Sequence, residues 1–224
     1  MRKLDLADLR SPTLAIAVAS VGLAALQDSV ASGLALDRDA FAGEPWRLWS
    51  CHLVHYSWRH ALFDAGAVLI LGNVAESSFG RKLVATVLLL TAPLLSIGLM
   101  WWVPSMAEYR GASGLAALLG TMAVAALWRS QPQRRVVLMC ASMLFVAKSV
   151  CAAMHRDSVI PLGLSQGVLV VWQAHALAIG AAALVLIFVG PAAAAFRLMC
   201  AQLRLCRSVD GTTVMATSSK HASR

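Results

Sequence analysis

Long, nearly continuous apolar runs divide the chain, and each has about the length needed to cross a lipid bilayer. Hydrophobic residues make up 59% of the 224 residues, charged residues only 13%, and the mean hydropathy is +0.71. A soluble domain of ordinary composition is not this apolar. A spanning helix needs about 20 mostly apolar residues to cross roughly 30 Å of hydrocarbon, where every backbone polar group must be hydrogen-bonded within the protein. Because the runs are continuous and do not alternate, they predict helices.

Six runs qualify as membrane spans. They cover residues 12–32, 61–79, 83–103, 111–128, 136–154 and 168–190. Their connections are short, so we expect one all-α bundle of six transmembrane helices over residues 1–207. The Ser- and Thr-rich residues 208–224 are predicted to form a polar, disordered cytoplasmic tail. The first run follows a basic start, as in a signal peptide, but Asp5 and Asp8 in that start and the five later spans favour a retained helix.

Lysine and arginine residues accumulate in the loops of membrane proteins that stay in the cytoplasm. Most of the 19 in this chain precede span one, join spans two and three, join spans four and five, or follow span six: Arg2, Lys3, Arg10, Arg81, Lys82, Arg129, Arg134, Arg135, Arg197, Arg204, Arg207, Lys220 and Arg224. The opposite loops hold fewer: Arg38, Arg47, Arg59, Arg110 and Arg156. Lys148 lies within span five, where its long side chain can reach the outer surface. Both termini are therefore predicted to be cytoplasmic.

The net charge of +8 would suggest a nucleic-acid partner in a soluble protein. Membrane topology and attraction to anionic lipid account for it here, since no basic patch with interleaved aromatic residues occurs. We therefore expect the lipid bilayer, and no nucleic acid, as a partner.

This topology places polar side chains from three spans near the same outer face. His60 opens span two, Ser113 opens span four, and His175 lies about two turns into span six. Asp64 follows His60 by one helical turn and shares its face. A single such residue is more often satisfied by packing. Ionisable groups at this depth are costly, however, and four polar residues at one level favour a functional site.

Ser113 and His175 can fill two of the roles that acyl-transfer chemistry needs. The hydroxyl can act as the nucleophile, and the imidazole, which titrates in the useful range, can act as its base. Gly111 and Gly114 fit a tight, exposed turn that a substrate backbone can approach. The first turn of span four offers unpaired N–H groups to an oxyanion, and His60 can add a side-chain donor. No carboxylate is obviously placed to orient His175, so the sequence predicts a dyad rather than a triad.

A metal or haem site is the alternative that the residues themselves suggest. Candidate ligands crowd one outer segment and the facing span: Cys51, His52, His55, His60 and His175. Zinc accepts such ligands, but three of them lie in a short stretch of a tryptophan-rich loop, and Ser113 would have no role. We therefore expect no metal and no cofactor. The five cysteines are few and odd in number, and they suggest no disulfide framework.

Five sequence elements, in the right order and on the right spans, resemble the rhomboid intramembrane serine proteases. They are Glu44-Pro45-Trp46-Arg47-Leu48 in the first outer loop, the histidine-rich stretch from His55 to Asp64, the spaced Gly72, Glu76 and Gly80, the tetrapeptide Gly111-Ala112-Ser113-Gly114, and Ala174-His175 with Ala178, Gly180 and Ala181. The resemblance extends over nearly the whole chain. A GxSG tetrapeptide alone is a weak signal, because it also marks close helix packing. The combination is what makes the match specific.

The resemblance implies that Ser113 and His175 form a catalytic dyad that hydrolyses peptide bonds in or near a substrate's transmembrane segment. It implies supporting roles around the oxyanion for three residues: His60, Asp64 and Gly111. It implies structural or loop roles for four more: Trp46, Arg47, His55 and Glu76. The loop with the Trp-Arg pair would embed partly in the outer leaflet.

Two positions depart from the family pattern. Asp64 stands where the family usually has asparagine, and a carboxylate donates to an oxyanion only when protonated, a form that apolar surroundings favour. Ala117 stands where many members carry a tyrosine stacked on the histidine, so we expect His175 to be held less firmly. A rhomboid-like pseudoprotease, which binds transmembrane helices without cutting them, therefore remains an alternative.

Within the family, the six-helix architecture and the context from Glu44 to His55 look most like the rhombosortase subgroup. That resemblance implies a multi-pass protein of the bacterial inner membrane with its active site open to the extracytoplasmic side. Its partners would be transmembrane or C-terminally anchored proteins, with sorting tails that carry Gly-Gly, an apolar segment and basic residues. The sequence gives no indication of oligomeric state.

Overall fold

Four of the predicted spans are helices long and apolar enough to cross a membrane. In the computed structural model, which describes residues 10–26, 28–155 and 171–188, the chain is mostly helical. The four helices are α4 (Trp58–Phe79), α5 (Arg81–Trp102), α6 (Ser113–Ser130) and α7 (Arg135–His155), the last preceded by a 3₁₀ turn at Pro132–Arg134. The remaining helices are shorter: α1 (Pro12–Leu23), α2 (Asp28–Leu34), α3 (Arg47–Ser50) and α8 (Trp172–Phe188). The chain is therefore a helical membrane protein.

The first span differs from its prediction over 12–32, because α1 ends at Leu23. The amides of Ala25 and Leu26 bond to carbonyls three residues back, which tightens the last turn and stops the helix. The separate short helix α2 follows. Helix α8 accounts for most of the predicted span 168–190, although residues 168–170, 189 and 190 lie outside the described part of the chain. So do the predicted tail 208–224, most of the loop before span six, and residues 1–9.

The chain divides into two units, residues 1–183 and 184–224. The described residues of the second unit are the end of α8. All the contacts below lie within the first unit, where α4 packs against α1, α5 and α6.

The spaced Gly72, Glu76 and Gly80 join α4 to α1 and α5. A Cβ at Gly72 would lie only 2.3 Å from Thr13 Cγ2, so glycine is what lets α1 approach. Glu76 Oε1 accepts hydrogen bonds from the hydroxyls of Ser11 and Thr13 at 2.8 and 2.6 Å, which satisfies polar groups at the start of α1. Gly80, with φ of +92°, makes the break between α4 and α5.

Helix α5 contains Pro93, which cannot donate a backbone hydrogen bond to the carbonyl of Leu89 four residues earlier. The indole Nε1 of Trp49 donates to that carbonyl at 2.9 Å. Trp49, in the outer segment between α2 and α4, thus satisfies the Leu89 carbonyl that the proline leaves unpaired. This contact holds α3 against α5.

Two arginines, the buried Arg47 and the half-buried Arg38, fasten the outer segment that the sequence placed after span one. Arg47 pairs with Glu44 and donates to the carbonyls of Ser32 and Ala35, at the end of α2. Arg38 donates to carbonyls at the end of α5 and just after it: Met100, Val103 and Met106, at 2.9 to 3.0 Å. These bonds satisfy helix-end carbonyls with charged donors.

A small antiparallel sheet, absent from the all-α prediction, joins this outer segment to the entrance of α6. Its strands are β1 (Leu36–Asp37) and β2 (Glu108–Tyr109), with Leu36 opposite Tyr109. Because β2 lies four residues before Ser113, the pairing fixes the position of the chain just ahead of the candidate nucleophile.

Candidate active site

Ser113 is the first residue of α6, and the two residues before it are held by hydrogen bonds. The Gly111 amide donates to the Cys51 carbonyl at 3.0 Å, and the Ala112 amide donates to His55 Nε2 at 3.3 Å. Gly111 has φ of +136°, a conformation that L side chains rarely adopt. The turn therefore needs glycine at 111, as the sequence predicted.

The turn is less exposed than the sequence suggested. Gly111, Ala112 and Gly114 are buried, and Ser113 is half-buried. The N-cap of α6 is Ala112, whose methyl group cannot accept a hydrogen bond from the first turn. The backbone N–H groups at the start of α6 are thus left without a side-chain cap, which suits them to bind an anion beside the Ser113 hydroxyl.

The start of α6 lies against the start of α8. A Cβ at Gly114 would lie 3.6 Å from both the Cβ and the carbonyl oxygen of Ala174, the residue before His175. Small residues at these two positions therefore let the starts of the two helices approach each other. Within residues 10–26, 28–155 and 171–188, no hydrogen bond joins the hydroxyl of Ser113 to the ring of His175.

His175 is buried, and its hydrogen bond goes to α7. Its Nδ1 lies 3.3 Å from the Ser149 hydroxyl, and the Phe145 ring lies 5.2 Å from its own ring, centre to centre, at an angle of 55°. Lys148 lies on the same helix, with its Nζ 6.0 Å from the centre of the Phe145 ring. The sequence predicted a loosely held histidine because position 117 is alanine. In the structure an aromatic contact comes instead from Phe145.

Three buried side chains converge beside Gly111. Asp64 Oδ2 lies 3.2 Å from His55 Nε2 and 3.3 Å from His60 Nε2. A Cβ at Gly111 would lie 3.3 Å from the same His60 nitrogen and 3.4 Å from the same Asp64 oxygen. The two imidazole rings meet edge to face, 4.9 Å apart. His60 and Asp64, predicted from the sequence to support an oxyanion, thus lie against the turn that precedes Ser113.

The same three side chains could hold a metal ion, since one ligand atom from each lies within 4.8 Å of the others. The larger ligand set suggested by the sequence is not gathered here. His52 Nε2 lies 3.0 Å from the Ala92 carbonyl, and Cys51 Sγ lies 3.4 Å from the Ser96 hydroxyl. Burial raises the pKa of the Cys51 thiol to about 12, which disfavours the thiolate that metals bind.

Tyr109 was not singled out by the sequence, yet it borders the site. Its hydroxyl donates to the Gly111 carbonyl at 3.0 Å, and it also interacts with the Ser113 hydroxyl. Burial raises the pKa of the Tyr109 hydroxyl, so the group stays protonated and acts as a donor. Tyr56, also in the outer segment, stacks parallel to the His60 ring at 6.4 Å.

The loop residues implied by the resemblance lie away from this cluster, apart from His55. Arg47 and Glu76 are buried. Arg47 binds carbonyls at the end of α2, and Glu76 binds hydroxyls at the start of α1. The exposed fractions of Trp46, Trp49 and Trp58 are 50%, 41% and 61%. Exposed tryptophans on one outer segment are typical of the membrane interface.

The model of the rhomboid domain family matches residues 42–192 of this sequence. The match covers more than half of the chain and includes every residue of the cluster around Ser113. The chain belongs to the rhomboid family. Rhomboids are intramembrane serine proteases, and the apolar helices of this one agree with that location. No curated protein matches the sequence.

Two residues of this rhomboid that touch His175 escaped sequence reasoning. Ser149 and Phe145 lie in an apolar run whose only conspicuous polar residue is Lys148. They are four residues apart and so share a helical face, which is the signal that could have paired them. Nothing in the sequence alone indicates that this face turns toward α8.

Proposed function

We propose that this rhomboid is an intramembrane serine endopeptidase in which Ser113 is the nucleophile and His175 is the general base. The observation that supports the proposal is the close approach of the starts of α6 and α8, where Gly114 and Ala174, the chain neighbours of Ser113 and His175, lie against each other. The family membership supplies the reaction class.

The chemistry follows from the atoms available. As the Ser113 oxygen attacks the scissile carbonyl carbon, its proton passes to His175 Nε2, and the carbonyl oxygen becomes an oxyanion. The C–N bond then breaks, and the leaving nitrogen takes that proton from Nε2. Water then attacks the acyl carbon and gives a proton to His175 Nε2. That proton passes to the Ser113 oxygen as the acyl–oxygen bond breaks. The uncapped amides of the first turn of α6 are placed to stabilise the oxyanion.

We assign His60 and Asp64 to the oxyanion side of the site. Asp64 Oδ2 lies 3.2 Å from His55 Nε2, and the same nitrogen lies 3.3 Å from the Ala112 amide nitrogen. A protonated Asp64 would donate a hydrogen bond as the asparagine usual at this position does. His60 Nε2 faces both Asp64 and the Gly111 turn, where its N–H can reach an oxyanion. We propose that Asp64 is protonated, as the sequence leads us to expect, so that it can donate a hydrogen bond.

The orientation in the membrane and the substrate class in this proposal follow from the amino-acid sequence. Six spans with both termini in the cytoplasm would open the site to the extracytoplasmic face of a bacterial inner membrane. The substrates would be transmembrane or C-terminally anchored proteins, of the kind that rhombosortases process at Gly-Gly tails. The exposed tryptophans of the outer segment suit its contact with the outer leaflet.

The test uses purified protein in detergent and a fluorophosphonate probe, with cleavage of a substrate that carries a Gly-Gly and transmembrane tail. Wild type should label and cleave, and Ser113→Ala and His175→Ala should do neither while keeping their elution volume. Asp64→Asn should retain activity, because an amide can donate as a protonated carboxyl does. Labelling that persists in Ser113→Ala would contradict the serine-protease assignment, and labelling without cleavage of any tail would favour a different substrate class.

The convergence of His55, His60 and Asp64 favours a second candidate, a metal-binding membrane protein. Two imidazoles and a carboxylate suit zinc. Metal content after dialysis against zinc separates the two candidates. About one zinc per chain in wild type, lost in Asp64→Asn, would support metal binding. Absence of zinc from a protein that the probe labels would exclude it, and a folded protein with neither would indicate a pseudoprotease.

A further inference from the structure

We infer that Ser149 is a positioning residue for His175, which makes the catalytic unit Ser113, His175 and Ser149. The inference rests on the proposed function of the first two residues and adds a third group from α7. It adds a positioning residue to the dyad that the sequence predicted.

The hydrogen bonds of Ser149 indicate whether its hydroxyl donates to His175 or accepts from it. A serine hydroxyl has one proton, and that of Ser149 is donated to the Phe145 carbonyl at 3.0 Å, one turn earlier in α7. The same oxygen lies 3.3 Å from His175 Nδ1. Both contacts are hydrogen bonds at the same time only if the nitrogen donates to the serine oxygen, so the arrangement that satisfies both places the ring proton on Nδ1.

That tautomer is the one a general base needs. With the proton on Nδ1, the lone pair of His175 is on Nε2, which is free to take the proton of Ser113. With the proton on Nε2 instead, the ring would donate to Ser113 and could not act as its base. When Nε2 accepts the serine proton, the ring becomes an imidazolium, and its Nδ1–H still donates to Ser149.

Phe145 restricts the ring in a second direction. Its own ring lies 5.2 Å from that of His175, so rotation of the imidazole out of this contact would lose an aromatic pair. Phe145 and Ser149 lie one turn apart on α7 and touch the histidine from one side. The helix thus supplies both the acceptor and the aromatic contact that the alanine at 117 cannot.

A second helical serine makes the same local bond as Ser149 and offers a control. Ser130, at the end of α6, makes the same bond to a carbonyl four residues back, Ala126 at 2.9 Å, and is exposed. Ser130→Ala therefore removes the same local bond without a histidine nearby, and it serves as the matched control for Ser149→Ala.

The first readout is the tautomer of His175, measured by ¹⁵N NMR of histidine-labelled protein in detergent. The signal is assigned from its loss in His175→Ala. Wild type should show protonated Nδ1 and a bare Nε2, and Ser149→Ala should show a mixture of tautomers. Ser149→Thr keeps the hydroxyl and should restore the wild-type signal. This readout does not depend on catalysis, so it tests the contact even if the protease assignment fails.

The second readout is the rate of fluorophosphonate labelling. Ser149→Ala should label about tenfold more slowly, which equals about 1.4 kcal/mol of activation free energy. Ser149→Thr should label within about twofold of wild type, and Ser130→Ala should be unchanged. An unchanged His175 signal in Ser149→Ala, or a threonine variant as slow as the alanine variant, would overturn the inference. An unlabelled wild type with the expected tautomers would instead refute the proposed function alone.

Discussion

Replacing Gly111 with alanine should damage the oxyanion side of the site in two ways at once. Gly111 has φ of +136°, where a side chain is strained whatever space surrounds it. The new Cβ would also lie 3.2 Å from His60 Cε1, 3.3 Å from His60 Nε2 and 3.4 Å from Asp64 Oδ2. Those distances are tighter than most Cβ contacts, so the His60 ring must shift.

The size of the effect can be worked out from these two terms. A residue held in a sparsely populated backbone region costs on the order of 1–3 kcal/mol. Extra atoms forced into a packed region typically cost about 1–3 kcal/mol more. Because the ring can give by a few tenths of an ångström, we expect a total near the lower end, about 2–4 kcal/mol of stability. Displacement of His60 should also slow probe labelling about tenfold or more.

Substitutions at two other glycines separate the cost of backbone strain from the cost of crowding around the new Cβ. Gly80 has φ of +92° but open space where its Cβ would be, so Gly80→Ala should cost stability through strain alone. Gly66, inside α4, has ordinary helical φ and open space, so Gly66→Ala should be neutral or gain about 0.5–1 kcal/mol. Neither change should alter the labelling rate of the folded protein.

The assay is thermal unfolding in detergent together with the labelling rate of the folded fraction. Gly111→Ala should lower both, and Gly80→Ala should lower only the first. If Gly111→Ala labels at the wild-type rate, the turn does not position His60 in the way described. If Gly80→Ala slows labelling as much, the loss reports general destabilisation rather than the local contact.

Three further predictions concern stability. Gly72→Ala should cost about 3 kcal/mol or more, because its Cβ would lie 2.3 Å from Thr13 Cγ2, and a melting temperature within a degree of wild type would contradict that packing. Trp49→Phe should lower stability by about 1 kcal/mol in the same melting assay, since the Leu89 carbonyl loses its donor; no loss would mean that the proline leaves no unpaired group. Burial lowers the pKa of His52 from its usual 6.5. The unfolded chain therefore binds more protons than the folded one below about pH 6.5, and stability falls as the pH drops below that value. The loss is at most about 1.4 kcal/mol per pH unit. The melting temperature should therefore drop from pH 7.5 to 5.5, and less steeply in His52→Gln; equal slopes would rule His52 out.

Sequence reasoning located the long helices well, because bilayer thickness sets their length. The predicted spans 61–79, 83–103 and 136–154 agree within three residues at each end with α4, α5 and α7. The first span was predicted too long, since the apolar run continues past Leu23 although the helix turns off there. Hydropathy measures transfer into lipid, and it does not register the tight turn that ends a helix.

Side-chain contacts between distant elements could be predicted only where the family pattern names the residues. His60, Asp64 and Gly111 were singled out and do lie together. The contact of Ser149 with His175 was not predicted, because it depends on how α7 is rotated about its axis. A helix that is apolar on most faces gives little periodicity from which that rotation could be deduced. The pairing of β1 with β2 was missed for a related reason, since two-residue strands carry no alternation to detect.

The roles of Ser113 and His175 are tested most directly by locating the fluorophosphonate adduct with peptide mass spectrometry. We expect one adduct per chain, on the Ser113 oxygen, and its loss in His175→Ala even though Ser113 is intact. An adduct on any other residue, or one that forms on Ser113 at the wild-type rate in His175→Ala, would contradict the assignment of Ser113 as the nucleophile and His175 as its base.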